Sequence, residues 1–323
     1  MNKKTTETAS PLITIGITAY NAASTIERAV KSALEQDWPN TEIVIVDDAS
    51  TDRTTQLLES LTSFHKNLCS FRQDTNKGVA AARNQIIAES NGEFIAFFDD
   101  DDISAPNRLT KQYQRITDYE RSYAQGTPVL CHSARLQKYP DGHKAIAPTA
   151  GCAHDQIAPH GSAMLKRLLW GKPCEHCFGA MATCSQMART SVYRSLNGFD
   201  EALRRSEDTE LTIRHAAANG HFIGIDTPLV TQIMTMSQDK KLDEELTCTL
   251  YYLNKHKKLF PSPAAYDFQK EWIKAKYTYF SGDKKPLRTA MLKHPFRALQ
   301  KILWTLPNYA TNQRFKSFYK NSE

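Results

Sequence analysis

The chain has 323 residues, 41% hydrophobic and 24% charged, a balance that excludes global disorder and a fibrous protein. Its net charge of +6 is uneven: residues 284–323 hold nine Lys or Arg against one acid, Glu323, while the rest carries 32 bases and 34 acids. An anionic partner therefore meets the tail, and the body has no basic aromatic platform for nucleic acid.

The N-terminal stretch MNKKTTETASPLITIGIT has two lysines but no apolar core of a signal peptide. The longest apolar run, FIAFF (94–98), is far short of the ~20 residues a spanning helix needs. Seven cysteines, an odd number, fit a reducing compartment and reduced thiols. The expected location is cytoplasmic.

LITIGIT (12–18) reads as a strand. Ser24 with Glu27 three residues on suggests a capping box, followed by an apolar stripe at Ile26, Ala29, Val30, Ala33 and Leu34. EIVIVDD (42–48) is a strand buried on both faces; a helix follows over 52–61, then a short strand at 69–73, a helix over 78–90 and the buried strand EFIAFFD (93–99). Pro106 suits the first position of the next helix. This alternation predicts an α/β fold with a Rossmann-like, mostly parallel sheet and helices on both faces. Ligands of such sheets bind beyond the carboxyl ends of the strands, where both Asp47-Asp48 and Asp99–Asp102 fall.

The second half is less regular. A strand over 128–136, a turn at Pro140-Asp141-Gly142, a short helix near 162–170 and a strand over 178–188 are predicted. A helix over 206–220 has Ser206 as its cap, and HFIGIDTPLV follows as a strand. From about 240 onward the chain reads as helices, with a stripe of Leu242, Leu246, Leu250 and Leu253 and an amphipathic tail of Phe296, Leu299, Ile302, Leu303 and Leu306. The expected division is 1–235, split into a nucleotide-binding half (1–125) and an acceptor half (126–235), then a helical region, 236–323.

Four adjacent aspartates repel one another at neutral pH. At a strand end beside a crevice they suit a hard cation such as Mn²⁺ or Mg²⁺, shared with ligand phosphates. The plain alternative is a solvated acidic loop. Cys174-Glu175-His176-Cys177, with Cys152, His154, His160 and Cys184 nearby, raises zinc as a second option, but one C-x-x-C lacks a partner pair.

The order of motifs resembles family-2 glycosyltransferases of the GT-A fold. The motifs are Thr18-Ala19-Tyr20-Asn21; Val46 to Ser50; Asn76, Gly78, Ala82, Arg83 and Asn84; Phe97, Asp99, Asp101, Asp102 and Pro106; Gly198 to Glu201; and Glu207 to Leu211. The resemblance implies a nucleotide-sugar donor, UDP-linked, and a glycan or lipid-linked acceptor of surface polysaccharide synthesis. It gives Thr18, Ala19, Tyr20 and Asn21 to the nucleotide, Asp48 to the uracil and Asp100 to the ribose. Asp99 and Asp101 become the metal ligands, and Lys77 and Arg83 flank the nucleotide; Arg83 can instead pair with an acid of the tract. Asp102 receives no role. Asp208 matches the inverting base, with Glu207 and Glu210 as alternatives. The histidine common after the following strand is missing from TQIMTMSQDK (231–240), and the Q-x-x-R-W signature of processive relatives is absent. The rivals are a sugar nucleotidyltransferase, which lacks its glycine-rich loop at 18–24, and an inactive nucleotide-binding module. The basic tail is expected to touch an anionic membrane surface.

Overall fold

Alternating side chains of the first strands feed two separate cores. In the computed structural model, which describes residues 10–234 and 242–305, strands β1 (Ile13–Ala19), β2 (Thr41–Asp47), β3 (Leu68–Arg72) and β4 (Phe94–Asp99) run parallel in the order β3-β2-β1-β4. Ile43 and Ile45 pack with Ile26 and Val30 of α1 (Ile26–Leu34), Leu58 of α2 (Thr54–Phe64) and Leu109 of α4 (Arg108–Tyr119). Val44 and Val46 pack on the opposite face with Ile86 and Ile87 of α3 (Val79–Glu89). Each such side chain contributes ~1.5–3 kcal/mol when fully buried. Gly16 lets α3 lie close to β1: a Cβ there would meet the Ile86 side chain at 2.5 Å.

The sheet continues with strands of mixed direction. β8 (Gln186–Arg189) is antiparallel to β4 and to β6 (Val129–Lys138); β6 is parallel to β9 (His221–Ile233), and β5 (Ile103–Ser104) closes that edge. β7 (Lys144–Ala147) forms a hairpin on β6 around the predicted turn. β9 runs past the predicted strand, and its register on β6 shifts where Pro228 enters, since proline cannot donate to the ladder.

Several local expectations change. Thr25, not Ser24, precedes α1, and no side chain caps it. The helix after Pro106 begins only at Arg108. The strand expected over 178–188 shrinks to β8, because Gly179 takes φ +113° and pairs its neighbour Ala180 with Thr149 by a lone bridge. Ser206 precedes α7 (Glu207–Ala217) in a left-handed conformation, without a side-chain cap.

Among the described residues four α-helices follow: α8 (Leu242–Lys255), α9 (Pro263–Phe280), α10 (Lys285–Lys293) and α11 (Pro295–Thr305). Leu253 and Phe260 pack with Leu169 of α5 (Gly161–Trp170) and Ile213 of α7, fastening these helices to the sheet. α8 buries Cys248, Thr249 and Leu253, whereas Leu242 at its free end is exposed. Among the described residues no helix is long and apolar enough to cross a membrane. Leu306 and most of the segment expected to carry the missing histidine lie outside the described residues.

Candidate active site

The carboxyl ends of β1, β2 and β4 are level, with Thr18 opposite Val46 on one side and Asp99 on the other. Beyond them opens a crevice of about 460 Å³. Of the predicted residues, Thr18, Ala19, Tyr20, Asp48, Arg83, Asp99, Asp100 and Asp101 line it. Asn21, Lys77 and Asp208 do not. Asn21 accepts from the Thr51 backbone at 2.8 Å and so ties the β1 loop to the β2 loop. Lys77 contributes its backbone N–H, and its side chain is exposed. Asp208 stands one residue beyond Glu207 in the first turn of α7, where it accepts from its neighbour Thr209.

The two acids ending β2 have different tasks. Asp47 is buried away from the crevice, accepts from Ser50 N at 2.9 Å and from the Thr55 hydroxyl at 2.6 Å, and so shapes the following turn. Asp48 faces the crevice, and its two oxygens accept from Lys77 N at 2.7 Å and Gly78 N at 2.8 Å. It sits at the positive end of α3, whose first N–H groups favour an anion.

The acids ending β4 are held at a cost. Burial, then Asp99 and Asp101, push the Asp100 carboxyl up to about 7, even though Tyr20 N donates to it at 3.1 Å. Burial and Asp99 also raise Asp101. Asp102 is buried, one of its oxygens has no hydrogen-bond partner, and burial with Asp99 and Asp101 lifts it to about 8. Like charges and desolvation both disfavour the anion here, and a cation relieves both.

Several such cations belong to the chain itself, and three of them were not foreseen from the sequence. Arg28 donates to the Asp101 carbonyl at 2.8 Å. Arg108 is fully buried behind the tract, donates to Phe97 O at 2.8 Å and Ser104 Oγ at 2.9 Å, and lies over the Phe98 ring at 4.3 Å; burial lowers it to about 10. Its position two residues after Pro106 was the signal available in the sequence. Arg204 lines the crevice beside the start of α3, fixed by Asn76 Oδ1 at 2.8 Å. Arg83, which was foreseen, reaches Glu207 at 2.5 Å and Asp99 at 3.4 Å. Burial opposes its charge, but Glu207, Asp99 and Asp208 together hold it above the ordinary arginine range.

Ligating atoms of Asp99, Asp102 and Cys184 lie within 4.8 Å of one another. The carboxylates, with the unpartnered Asp102 oxygen, fit a hard divalent cation. The Cys184 thiol, a soft ligand, suits such a cation poorly, and burial and Asp99 raise it far above its usual value. The thiol–imidazole group considered for zinc is dispersed. His160 stacks on His221 at 4.4 Å, Cys184 joins the aspartates, and Cys174 and Cys177 are paired as a disulfide, not reduced thiols. A tight turn, with Cys177 N donating to Cys174 O, brings their Cα atoms to 5.3 Å, within disulfide reach.

A sheet of this order, with its acidic crevice at the ends of parallel strands and helices around it, is the architecture of GT-A glycosyltransferases. The structure resembles S. aureus TarS 1–349 in complex with UDP-GlcNAc (TM-score 0.59, 19% identity, covering 83% of this chain and 73% of that one). It also resembles the mannosyltransferase PcManGT from Pyrobaculum calidifontis in complex with GDP-Man and Mn²⁺ (TM-score 0.53, 16% identity, covering 94% and 76%). Residues 14–193, more than half of the chain, match glycosyl transferase family 2, and the chain belongs to that family. It is similar to the succinoglycan biosynthesis protein ExoO of Rhizobium meliloti (strain 1021), 39% identical over 210 residues, 65% of this chain and 57% of ExoO. It is also similar to the UDP-Glc:alpha-D-GlcNAc-diphosphoundecaprenol beta-1,3-glucosyltransferase WfaP of Escherichia coli, 37% identical over 101 residues, 31% of this chain and 39% of WfaP. The chain thus spans less than two thirds of the length of these curated relatives.

Proposed function

We propose that the protein transfers one sugar from a nucleoside diphosphate, UDP-linked, to a hydroxyl of a glycan or lipid-linked acceptor in surface polysaccharide synthesis. The reaction proceeds with inversion and takes place at the cytoplasmic face of a membrane. The observation that carries this reading is the crevice in which Asp48 and Asp99–Asp101 face Arg83 and Arg204 at the level ends of β1, β2 and β4. The relatives acting in polysaccharide synthesis support it.

In this reading residues 1–125 bind the donor, and 126–235 receive the acceptor and supply the base. Thr18 to Asn21 and Asp48 hold the uridine, Asp100 the ribose, and Lys77, Arg83 and Arg204 balance the phosphates. Asp99 and Asp101, with Asp102 behind them, would hold a divalent ion, which when bound would neutralise charge growing on the leaving diphosphate, worth several kcal/mol. Asp208 takes the acceptor proton as the acceptor oxygen bonds to the anomeric carbon and the bond to the diphosphate breaks; such a base supplies ~10²–10⁴-fold. Mn²⁺-dependent hydrolysis of UDP-sugars tests this reading. Asp208→Asn is expected to lose hydrolysis while still binding UDP. Hydrolysis undiminished in Asp208→Asn, or equal turnover in excess chelator, overturns it.

A further inference from the structure

Two features of the C-terminal helices take no part in the site above. The first is a cavity of about 360 Å³ bordered by α5, α9 and α11. Trp170, Phe268 and Trp304 give it aromatic walls, and among the described residues no acidic one lines it. Its ionisable groups are all basic, and burial, then Lys276, lowers Lys301 to about 7. Arg297 donates to Ala264 O at 2.5 Å and lies 5.6 Å from the Phe268 ring centre, and Lys301 is 8% exposed and donates to Gln269 Oε1 at 2.5 Å. Lys166 and Lys172 stand on the rim, both exposed.

The second feature is the outer face of α11. Phe296 is 87% exposed, Leu299 54% and Leu303 52%, at positions i, i+3 and i+7, and Leu292 near the end of α10 is 84% exposed. Ala298 and Lys301, between them in sequence, point inward and are buried. Large apolar side chains in a row on a water-facing helix are unfavourable without a cover. The surroundings specify the cover by charge: residues 284–305 carry six Lys or Arg and no acid, and of the six Lys293 is paired with Glu271 of α9 at 3.0 Å. An apolar ridge flanked by bases, beside a basic aromatic cavity, matches the boundary between anionic headgroups and acyl chains.

We infer that α10 and α11 form a docking surface for an anionic lipid bilayer: Phe296, Leu299 and Leu303 enter the acyl boundary, and the cavity edged by Arg297 and Lys301 receives a lipid phosphate. The glycosyltransferase reading explains why a membrane would be useful, but the binding itself is independent of it.

The test is co-sedimentation of the full chain, without nucleotide, with phosphatidylcholine vesicles that contain or lack phosphatidylglycerol. Wild type is expected to bind the phosphatidylglycerol vesicles and to leave the neutral ones. The triple variant Phe296→Ser, Leu299→Ser, Leu303→Ser should bind weaker by roughly tenfold or more. Lys166→Glu with Lys172→Glu should lose the preference for phosphatidylglycerol. UDP binding and the thermal midpoint, measured in parallel, should stay unchanged in both. Absent binding, equal binding to both vesicles, or a triple variant that sediments like wild type overturns the inference. So does a wild-type dimer that the triple variant dissolves, which gives the ridge to a second copy. Displacement from vesicles by glycerol phosphate at matched phosphate concentration overturns it too, as a site for free phosphate. Vesicle binding without any UDP binding tells against the transferase reading alone.

Discussion

Arg83 and Glu207 meet at 2.5 Å across 124 residues of chain, and both are nearly buried. The pair ties α3, which edges the crevice, to the start of α7, which carries Asp208. Removing one partner of a buried pair leaves the other charged and unpaired, at a cost of ~3–5 kcal/mol. Arg83→Met and Glu207→Leu should each lower stability by about that much, and the double variant should recover most of it. Urea denaturation of the four proteins measures this cycle. Additive losses would mean that the two groups do not act as a pair.

The crowded aspartates make a second expectation quantitative. Burial and mutual repulsion raise Asp100, Asp101 and Asp102, so a bound divalent cation lifts a penalty already present. Mn²⁺ with UDP, at about a hundred times the dissociation constant, should stabilise the fold by about 2.7 kcal/mol. Thermal shift measures it, and Asp101→Ala should abolish the Mn²⁺-dependent part. A gain from Mn²⁺ preserved in Asp101→Ala would remove that residue from the ion.

Arg204 supplies a third. It is the crevice cation on the side facing α3, and its Nη1 would lie 2.7 Å from a Cβ at Gly78, whose φ is +95°. The guanidinium therefore lies against the glycine turn. Arg204→Ala should weaken UDP binding roughly tenfold, in line with the loss of one charge-assisted contact, and leave uridine binding unchanged. Calorimetry with the two ligands separates a phosphate contact from a structural one, which would weaken both.

How far the sequence could lead is visible in particular residues. The parallel strands were legible because Ile43, Val44, Ile45 and Val46 are apolar without a break, a pattern that only burial on both faces explains. The crevice was legible because acids follow those runs directly. The balancing cations were less so: Arg108 follows Pro106 by two residues, but Arg28 and Arg204 come from distant stretches of the chain, and nothing in their local spacing places them near residues 99–102. Gly179 breaks the expected strand through a positive φ, which a composition rich in strand formers conceals. Asp102 and Cys184 meet only because β8 is inserted beside β4, and that antiparallel insertion has no local signal in the sequence.

The last expectation concerns acid. His132, His215 and His221 are buried, and their surroundings require neutral rings. Gln186 donates its amide to His132 Nε2 at 2.9 Å; His215 bonds the His221 carbonyl at 3.1 Å while its Nδ1 has no partner; and Tyr119, which accepts from Ala158 N, donates to His221 Nδ1 at 2.5 Å. Burial first, then neighbouring cations or imidazoles, lowers them to about 3, 4 and 4. A histidine lowered in this way stabilises the fold above its unfolded value of ~6.5, and that contribution is lost as pH falls toward the folded value. Asp100 and Asp102, raised to about 7 and 8, act with the opposite sign: their contribution is complete below ~3.9 and is lost as pH rises through the folded values. Total stability between pH ~4 and ~6.5 therefore mixes the two, and a single variant isolates one side. His215→Asn removes one proton taken up on unfolding. Across that window its stability should fall with acid less steeply than wild type, by about 1.4 kcal/mol per pH unit. Parallel slopes in urea titrations at pH 4.5, 5.5 and 6.5 (roughly spanning the window) would mean that His215 is already charged in the folded protein.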